Sequence, residues 1–226
     1  MIFQNDITSC ILGSKNCGKS VMLASFLNES KQGGILLDML GIYNPKNSYK
    51  TAVVPNSYYC LGVDNYIDNF DKFPADAKII IDFSEYYGEE AIKAADVLCN
   101  HVLKNKKAGL FMSDEIADIM PQQGTTSKAL HQLIKNGRNF GIKPIIFATQ
   151  RPQSVNKSIF DLCDNFYIST QRAPRTVDYI LDIIDASGNK EMKQEIAQLP
   201  ARTFLKYDGG EIINYKVPEY KYAFMQ

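Results

Sequence analysis

The chain of 226 residues has no tryptophan, only two histidines (His101 and His131) and five cysteines (Cys10, Cys17, Cys60, Cys99 and Cys163). The cysteines are odd in number, scattered, and nowhere in CxxC spacing. A structural zinc site or disulfide framework is therefore not expected, and a reducing compartment suits the composition. An excess of charge is missing too: Lys plus Arg and Asp plus Glu each total 25, for a formal net charge of zero. That excludes a polycation coating nucleic acid by bulk charge, but not a basic surface confined to one face. No apolar run nears the ~18 residues that span a bilayer. The opening MIFQNDITSC lacks the basic-then-apolar plan of a signal peptide. The expectation is a soluble intracellular protein, not an integral membrane one.

Hydrophobic residues make up 45% and charged residues 22%, so the chain can bury a sizeable core. Apolar runs alternate with helical patterns, which predicts one α/β domain over residues 1–226, its mainly parallel sheet covered by helices. The expected strands are Ile7–Leu12, Gly34–Asp38, Lys78–Asp82, Gly109–Ser113, Lys143–Thr149 and Asn165–Ser169. Ile79–Ile81 and Ile145–Phe147 are unbroken apolar runs, as buried parallel strands are. The expected helices are Lys19–Glu29, Glu89–Lys104, Ser127–Asn139, Thr176–Asp185 and Lys190–Gln198. Arg202–Tyr207 and Glu211–Val217 flank Asp208-Gly209-Gly210, a turn that predicts a closing C-terminal β-hairpin. Residues 40–76, with Pro45, Pro55 and Pro74, read as an irregular excursion carrying short elements. His101 and His131 are expected to be ordinary helix-surface or core residues.

Gly13-Ser14-Lys15-Asn16-Cys17-Gly18-Lys19-Ser20 matches G-x-x-x-x-G-K-[ST] in full, between an expected strand and an expected helix opened by Val21. Gly13 and Gly18 let backbone N–H groups close around phosphates, and the helix N-terminus adds its positive dipole end. Lys19 supplies a charge to the β- and γ-phosphates and Ser20 a hydroxyl for Mg²⁺. The motif thus predicts an ATP site built from Gly13, Ser14, Lys15, Asn16, Cys17, Gly18, Lys19, Ser20 and Val21. Cys17 is expected to serve as a small residue whose alkylation obstructs the phosphates.

Gly109–Ser113 is an apolar strand running into two carboxylates, Asp114 and Glu115. Asp114 is expected to hold Mg²⁺ through water, and Glu115 to polarise the attacking water as general base. A rival acidic strand end, Asp82, lacks an adjacent second carboxylate; its strand is expected at the sheet edge, with Ser84 and Glu85 in the loop beyond. A strand between the phosphate-loop strand and the acidic strand implies the additional-strand, catalytic-glutamate division of P-loop ATPases. In Gly137-Arg138-Asn139-Phe140-Gly141-Ile142…Ala148-Thr149-Gln150-Arg151-Pro152, a helix end leads into a buried strand tipped by Gln150, placed to report on the γ-phosphate or attacking water.

This last segment, with the phosphate loop and Ser113-Asp114-Glu115, resembles the HerA/FtsK superfamily of ring-forming DNA-pumping ATPases. Leu37-Asp38…Gly41-Ile42-Tyr43 is similar to that family's "D-x-x-GEY", with Ile42 in place of its Glu. Ile81-Asp82-Phe83-Ser84 is similar to its "IDLS", and Leu199-Pro200 before the hairpin also fits. The resemblance implies a RecA-like ATPase core using ATP and Mg²⁺. A chain this close to the bare core resembles the genome-packaging ATPases of tailless, internal-membrane double-stranded DNA viruses; cellular and plasmid-transfer translocases share the core but usually add domains. It implies an arginine placed in the neighbouring subunit's site, here Arg138, with Arg151 serving the turn beside the sensor. Arg172 and Arg175 are further, exposed-looking arginines. The implied partners are double-stranded DNA gripped without base reading, copies of the chain in a pentameric or hexameric ring, and capsid vertex proteins. The implied location is the host cytoplasm and the packaging vertex of a virion. Lys104, Lys106 and Lys107, and Lys128, Lys135 and Lys143, are candidate phosphate contacts. Pro121–Ser127 is a candidate pore loop. Tyr86, Tyr87, Tyr215, Tyr220 and Tyr222 are candidate stacking or packing residues.

Overall fold

The structure is a computed structural model that describes residues 7–44, 58–105, 109–209 and 212–217. Its described strands are β1 (Thr8–Leu12), β2 (Gly34–Asp38), β3 (Tyr59–Leu61), β4 (Lys78–Asp82), β5 (Leu110–Ser113), β6 (Ile145–Thr149), β7 (Asn165–Ile168), β8 (Thr203–Tyr207) and β9 (Ile212–Lys216). The helices are α1 (Lys19–Glu29), α2 (Val63–Asn69), α3 (Glu89–Asn105), α4 (Lys128–Asn136), α5 (Pro174–Ile183) and α6 (Lys190–Gln198). All nine strands lie in one sheet of order β3-β4-β2-β5-β6-β1-β7-β8-β9. The pairs from β3 to β7 are parallel. The β8–β9 hairpin closes the sheet antiparallel. The mainly parallel, helix-covered α/β sheet and its terminal hairpin are thus as the sequence predicts.

The central strands are buried on both faces, and alternate side chains divide between two cores. Ile35, Leu37, Ile79, Ile81, Phe111 and Phe147 pack against α3, α4, α5 and α6. Leu36, Ile80, Met112, Ile146 and Ala148 meet α1, which buries Met22, Leu23, Phe26 and Leu27. Among the described residues, one short helix covers that face of the sheet, with Tyr43 and Val217 beside it. This explains why α1 is apolar nearly all round. Fully burying side chains such as Leu36 or Ile80 contributes about 2 kcal/mol each. On the other face, Asp96 of α3 accepts hydrogen bonds from Ser127 Oγ (2.7 Å) and Ala129 N (2.9 Å), while Ser127 Oγ accepts from Leu130 N (3.1 Å). One carboxylate so caps α4 and ties it to α3.

Several expected boundaries shift for local reasons. Pro144 has no N–H to give a ladder, and β6 starts at Ile145. Pro174 takes the first helical position, so α5 begins two residues before Thr176. The expected helix to Asn139 ends at Asn136 and tightens into a 3-10 turn, Gly137–Phe140, closed by Gly141. One placement needs correction. The Lys78–Asp82 strand is not at the sheet edge, because β3, from within the 40–76 excursion, pairs outside it. No described helix is long and apolar enough to cross a membrane.

Candidate nucleotide site

The parallel strands all deliver their C-terminal ends to one edge, where a ligand of an open α/β sheet binds. There the turn leaving β1 runs Gly13–Gly18 and opens α1. Gly18 is at φ 107°, a backbone that an L side chain rarely adopts. A Cβ on Gly13 would stand 2.4 Å from Cys17 Sγ, so the loop closes only around glycine. Lys19 Nζ donates to the carbonyls of Gly13 (2.8 Å) and Ser14 (2.9 Å). The ammonium therefore folds over the loop's own oxygens. Burial pulls its pKa below the usual lysine range, opposed by Cys17, Glu115 and Asp114. A buried cation at the N-terminus of α1 suits an anion, since the positive end of the helix dipole adds to its charge.

The sheet order places β6 between β1 and β5. Asp114 and Glu115 at the end of β5 are consequently separated from the phosphate loop by one inserted strand. Asp114 Oδ1 accepts from Met39 N at 2.8 Å, while its buried Oδ2 has no hydrogen-bond partner. Burial, then the neighbouring Asp38, push this carboxyl well above the usual carboxylate range. Glu115 is 1% exposed. Its Oε1 accepts from Thr149 Oγ1 (2.5 Å) and its Oε2 from Gln150 N (3.1 Å). Burial raises its pKa, and the Thr149 hydroxyl and Gln150 N–H pull it back. Gln150, Asp114, Ser20 and Lys19 line one cleft of about 570 Å³, with Lys15, Asn16, Gly18 and Val21.

An unpaired carboxylate oxygen on Asp114, a residue that lines the cleft with Ser20, fits a hard cation. No described group of three or more His, Cys, Asp or Glu could cage a metal. Mg²⁺ takes one or two protein oxygens and completes its shell with phosphate and water.

Four residues of this edge carry more than their sequence signal suggested. Asp38 at the end of β2 accepts from Ile42 N and Tyr43 N, both 2.8 Å, and folds the loop that brings Leu40 and Ile42 to the cleft. Tyr43 then donates its hydroxyl to Ser20 O at 3.0 Å. Thr149 holds Glu115, and its Oγ1 also accepts from Arg151 N at 2.9 Å. Arg202, read from sequence only as the first hairpin residue, lines the cleft. The signal for Asp38 and Tyr43 was present in the D…G-x-Y pattern. Those for Thr149 and Arg202 depend on contacts between segments far apart in the chain.

Other candidates fall elsewhere. Arg138 is exposed and lines a small pocket of about 180 Å³ with Thr8, Asp161 and Asp164. That pocket is at the N-terminal end of β1, so Arg138 is across the sheet from its own phosphate loop. Arg151 is exposed and paired with Asp118 at 2.6 Å. Asp82 accepts from Ser84 N (2.9 Å), Ser84 Oγ (2.6 Å) and Asn44 Nδ2. Arg172, Arg175, Lys104, Lys128 and Lys135 are exposed and Lys143 is half-buried. Pro121 of the polar 121–127 loop bridges to Val155. Tyr215 packs edge-on against Tyr167, so it is a packing residue; Tyr87 is 75% exposed. His101 stacks its ring edge-on with Tyr66 and Phe70. Lys106, Lys107, Tyr220 and Tyr222 are outside the described residues.

No protein-family model matches the chain, and no curated protein matches it. Solved structures do. The genome packaging NTPase B204 of Sulfolobus turreted icosahedral virus 2, in complex with ATPγS, is similar with TM-score 0.67 and 18% identity, over 93% of this chain and 97% of that one. B204, the DNA-packaging ATPase of Sulfolobus turreted icosahedral virus, gives TM-score 0.65 and 19% identity over 95% and 98%. VirB4 of Thermoanaerobacter pseudethanolicus gives TM-score 0.64 and 10% identity over 96% and 90%. The fold is therefore shared with the B204 NTPases and with VirB4.

Proposed function

We propose that this chain is a Mg²⁺-dependent ATP hydrolase whose turnover moves double-stranded DNA, and that its setting is the packaging of a viral genome. The observation that carries the reading is the buried Asp114–Glu115 pair one strand away from the phosphate loop: Asp114 and Gln150, just past the intervening strand, line the cleft, and Glu115 is held behind it by Thr149 Oγ1 and Gln150 N. The likeness in fold to B204 supports the packaging setting. Localisation to the host cytoplasm and a virion vertex, and docking on capsid vertex proteins, follow from that setting.

In the reaction, loop N–H groups and Lys19 bind the triphosphate, and Lys19 trades the Gly13 and Ser14 carbonyls for phosphate oxygens. Ser20 and Asp114 are the residues that hold Mg²⁺, which when bound offsets charge on the phosphate oxygens. Glu115 takes a proton from the attacking water. Thr149 and Gln150 N aim its carboxylate, leaving acceptor capacity for that water, since a carboxylate has about four lone-pair sites. Gln150 contacts the γ-phosphate or the water. Arg138 acts across a subunit boundary in a pentameric or hexameric ring, where its fork matches a phosphoryl group. The exposed lysines and the 121–127 loop offer contacts to a DNA backbone.

The test is the steady-state ATPase rate with and without long duplex DNA, followed by triplex displacement as a translocation readout. Stimulation and strand displacement support the motor. Hydrolysis indifferent to DNA removes it and leaves an ATP-driven switch. A conjugation ATPase or cellular translocase is the second reading, favoured by the VirB4 likeness. A nucleotide kinase would instead transfer phosphate to a small acceptor.

A further inference from the structure

Arg202 joins the last helix to β8, yet its backbone belongs to the phosphate loop. Its N–H donates to Cys17 O at 2.9 Å, and its carbonyl accepts from Val217 N at 3.0 Å. Its φ is 63°, a left-handed backbone that glycine adopts readily and arginine does not. A Cβ on Gly18 would stand 3.2 Å from Arg202 Cγ and 3.3 Å from its Cα, so the stem crosses the glycine at the mouth of α1. The residue lines the same cleft as Lys15, Lys19 and Ser20.

We infer that Arg202 binds the phosphates of the nucleotide held by its own chain, docking the C-terminal hairpin onto the bound ligand. A guanidinium supplies a permanent charge and a fork of donors suited to phosphate oxygens. The connection beyond it is stiff: Thr203 O accepts from Ser169 Oγ at 2.9 Å, at the end of β7 beside the loop. Nucleotide occupancy is thereby felt in β8 and β9 through one residue. The role differs from that proposed for Arg138, which serves a neighbour's cleft.

The inference rests on the cleft being a nucleotide site, so the test separates the two. Equilibrium binding of ADP to the full chain is compared for wild type, Arg202→Gly, Arg202→Gln and Lys19→Ala, with thermal melts alongside. Glycine keeps both backbone bonds and tolerates the left-handed φ; glutamine keeps the stem over Gly18 and removes the charge. Both are expected to raise the ADP Kd about tenfold or more, as a charged hydrogen bond is lost. A melting midpoint near that of wild type in both variants assigns lost affinity to the ligand contact and not to a disturbed fold. Unchanged ADP affinity in Arg202→Gln, with Lys19→Ala weakened, overturns the inference alone. A wild-type chain that fails to bind ADP overturns the nucleotide reading and this inference with it.

Discussion

The Thr149 hydroxyl sets the environment of Glu115, the proposed base. The carboxylate is buried, which raises its pKa, and the hydroxyl at 2.5 Å is the largest influence lowering it. The base works only when ionised, so hydrolysis should fall as pH drops through its raised pKa. In Thr149→Val the opposing donor is gone, and the acid limb of the kcat–pH profile should move upward. A charged hydrogen bond of ~1.5–3 kcal/mol corresponds to a shift of about one to two pH units. Thr149→Ser should restore it; a limb unmoved in the valine variant contradicts the role. Lys19→Ala should lose ATP binding or turnover, since it removes the ammonium held on the Gly13 and Ser14 carbonyls of the loop. Undiminished turnover would place the site elsewhere.

Elements carry the next layer, above all the turn after β2. Asp38 folds it and Tyr43 fastens it to Ser20 O. Tyr43→Phe removes one buried hydrogen bond, worth ~1 kcal/mol, so titration should give a Mg-ATP Kd about fivefold weaker; an unchanged Kd would detach this turn from the site. Burial holds Asp38 at about 6 against an ordinary 3.8, with Asp82 adding and the Tyr43 and Ile42 N–H groups opposing. Because its folded pKa is raised, the contribution of Asp38 to stability is fullest below 3.8 and is lost as pH rises through about 6, by on the order of 3 kcal/mol. Denaturation midpoints from pH 4 to 7 should therefore depend less on pH in Asp38→Asn than in wild type, and equal slopes would contradict this environment. These elements also mark what a sequence can disclose. Phosphate loop, acidic strand and buried strands are written locally, in glycine spacing and apolar runs. β3 has three residues amid prolines and tyrosines, and its pairing with β4 is a long-range event no local pattern records. Likewise Thr149 reads as the end of a strand, and its grip on Glu115 exists only because β5 and β6 pair.

At the scale of the whole molecule, the sheet has two working edges. The proposed nucleotide cleft occupies the C-terminal edge, while Arg138 stands at the opposite one beside Thr8 and Asp164. An arginine so placed can complete a cleft only in another copy, which is how a head-to-tail ring would couple its sites. Mixing Arg138→Ala with Glu115→Gln subunits should recover ATPase activity at boundaries that combine an intact arginine with an intact glutamate. No recovery at any mixing ratio would remove Arg138 from this role. In the proposed reaction, water is primed from β5 across the inserted β6 for attack at the loop after β1. The most direct measurement of this step pairs Mg-ATP affinity with single-turnover hydrolysis in Glu115→Gln. ATP should bind with wild-type affinity and be cleaved ~100-fold or more slowly; cleavage at the wild-type rate would contradict it.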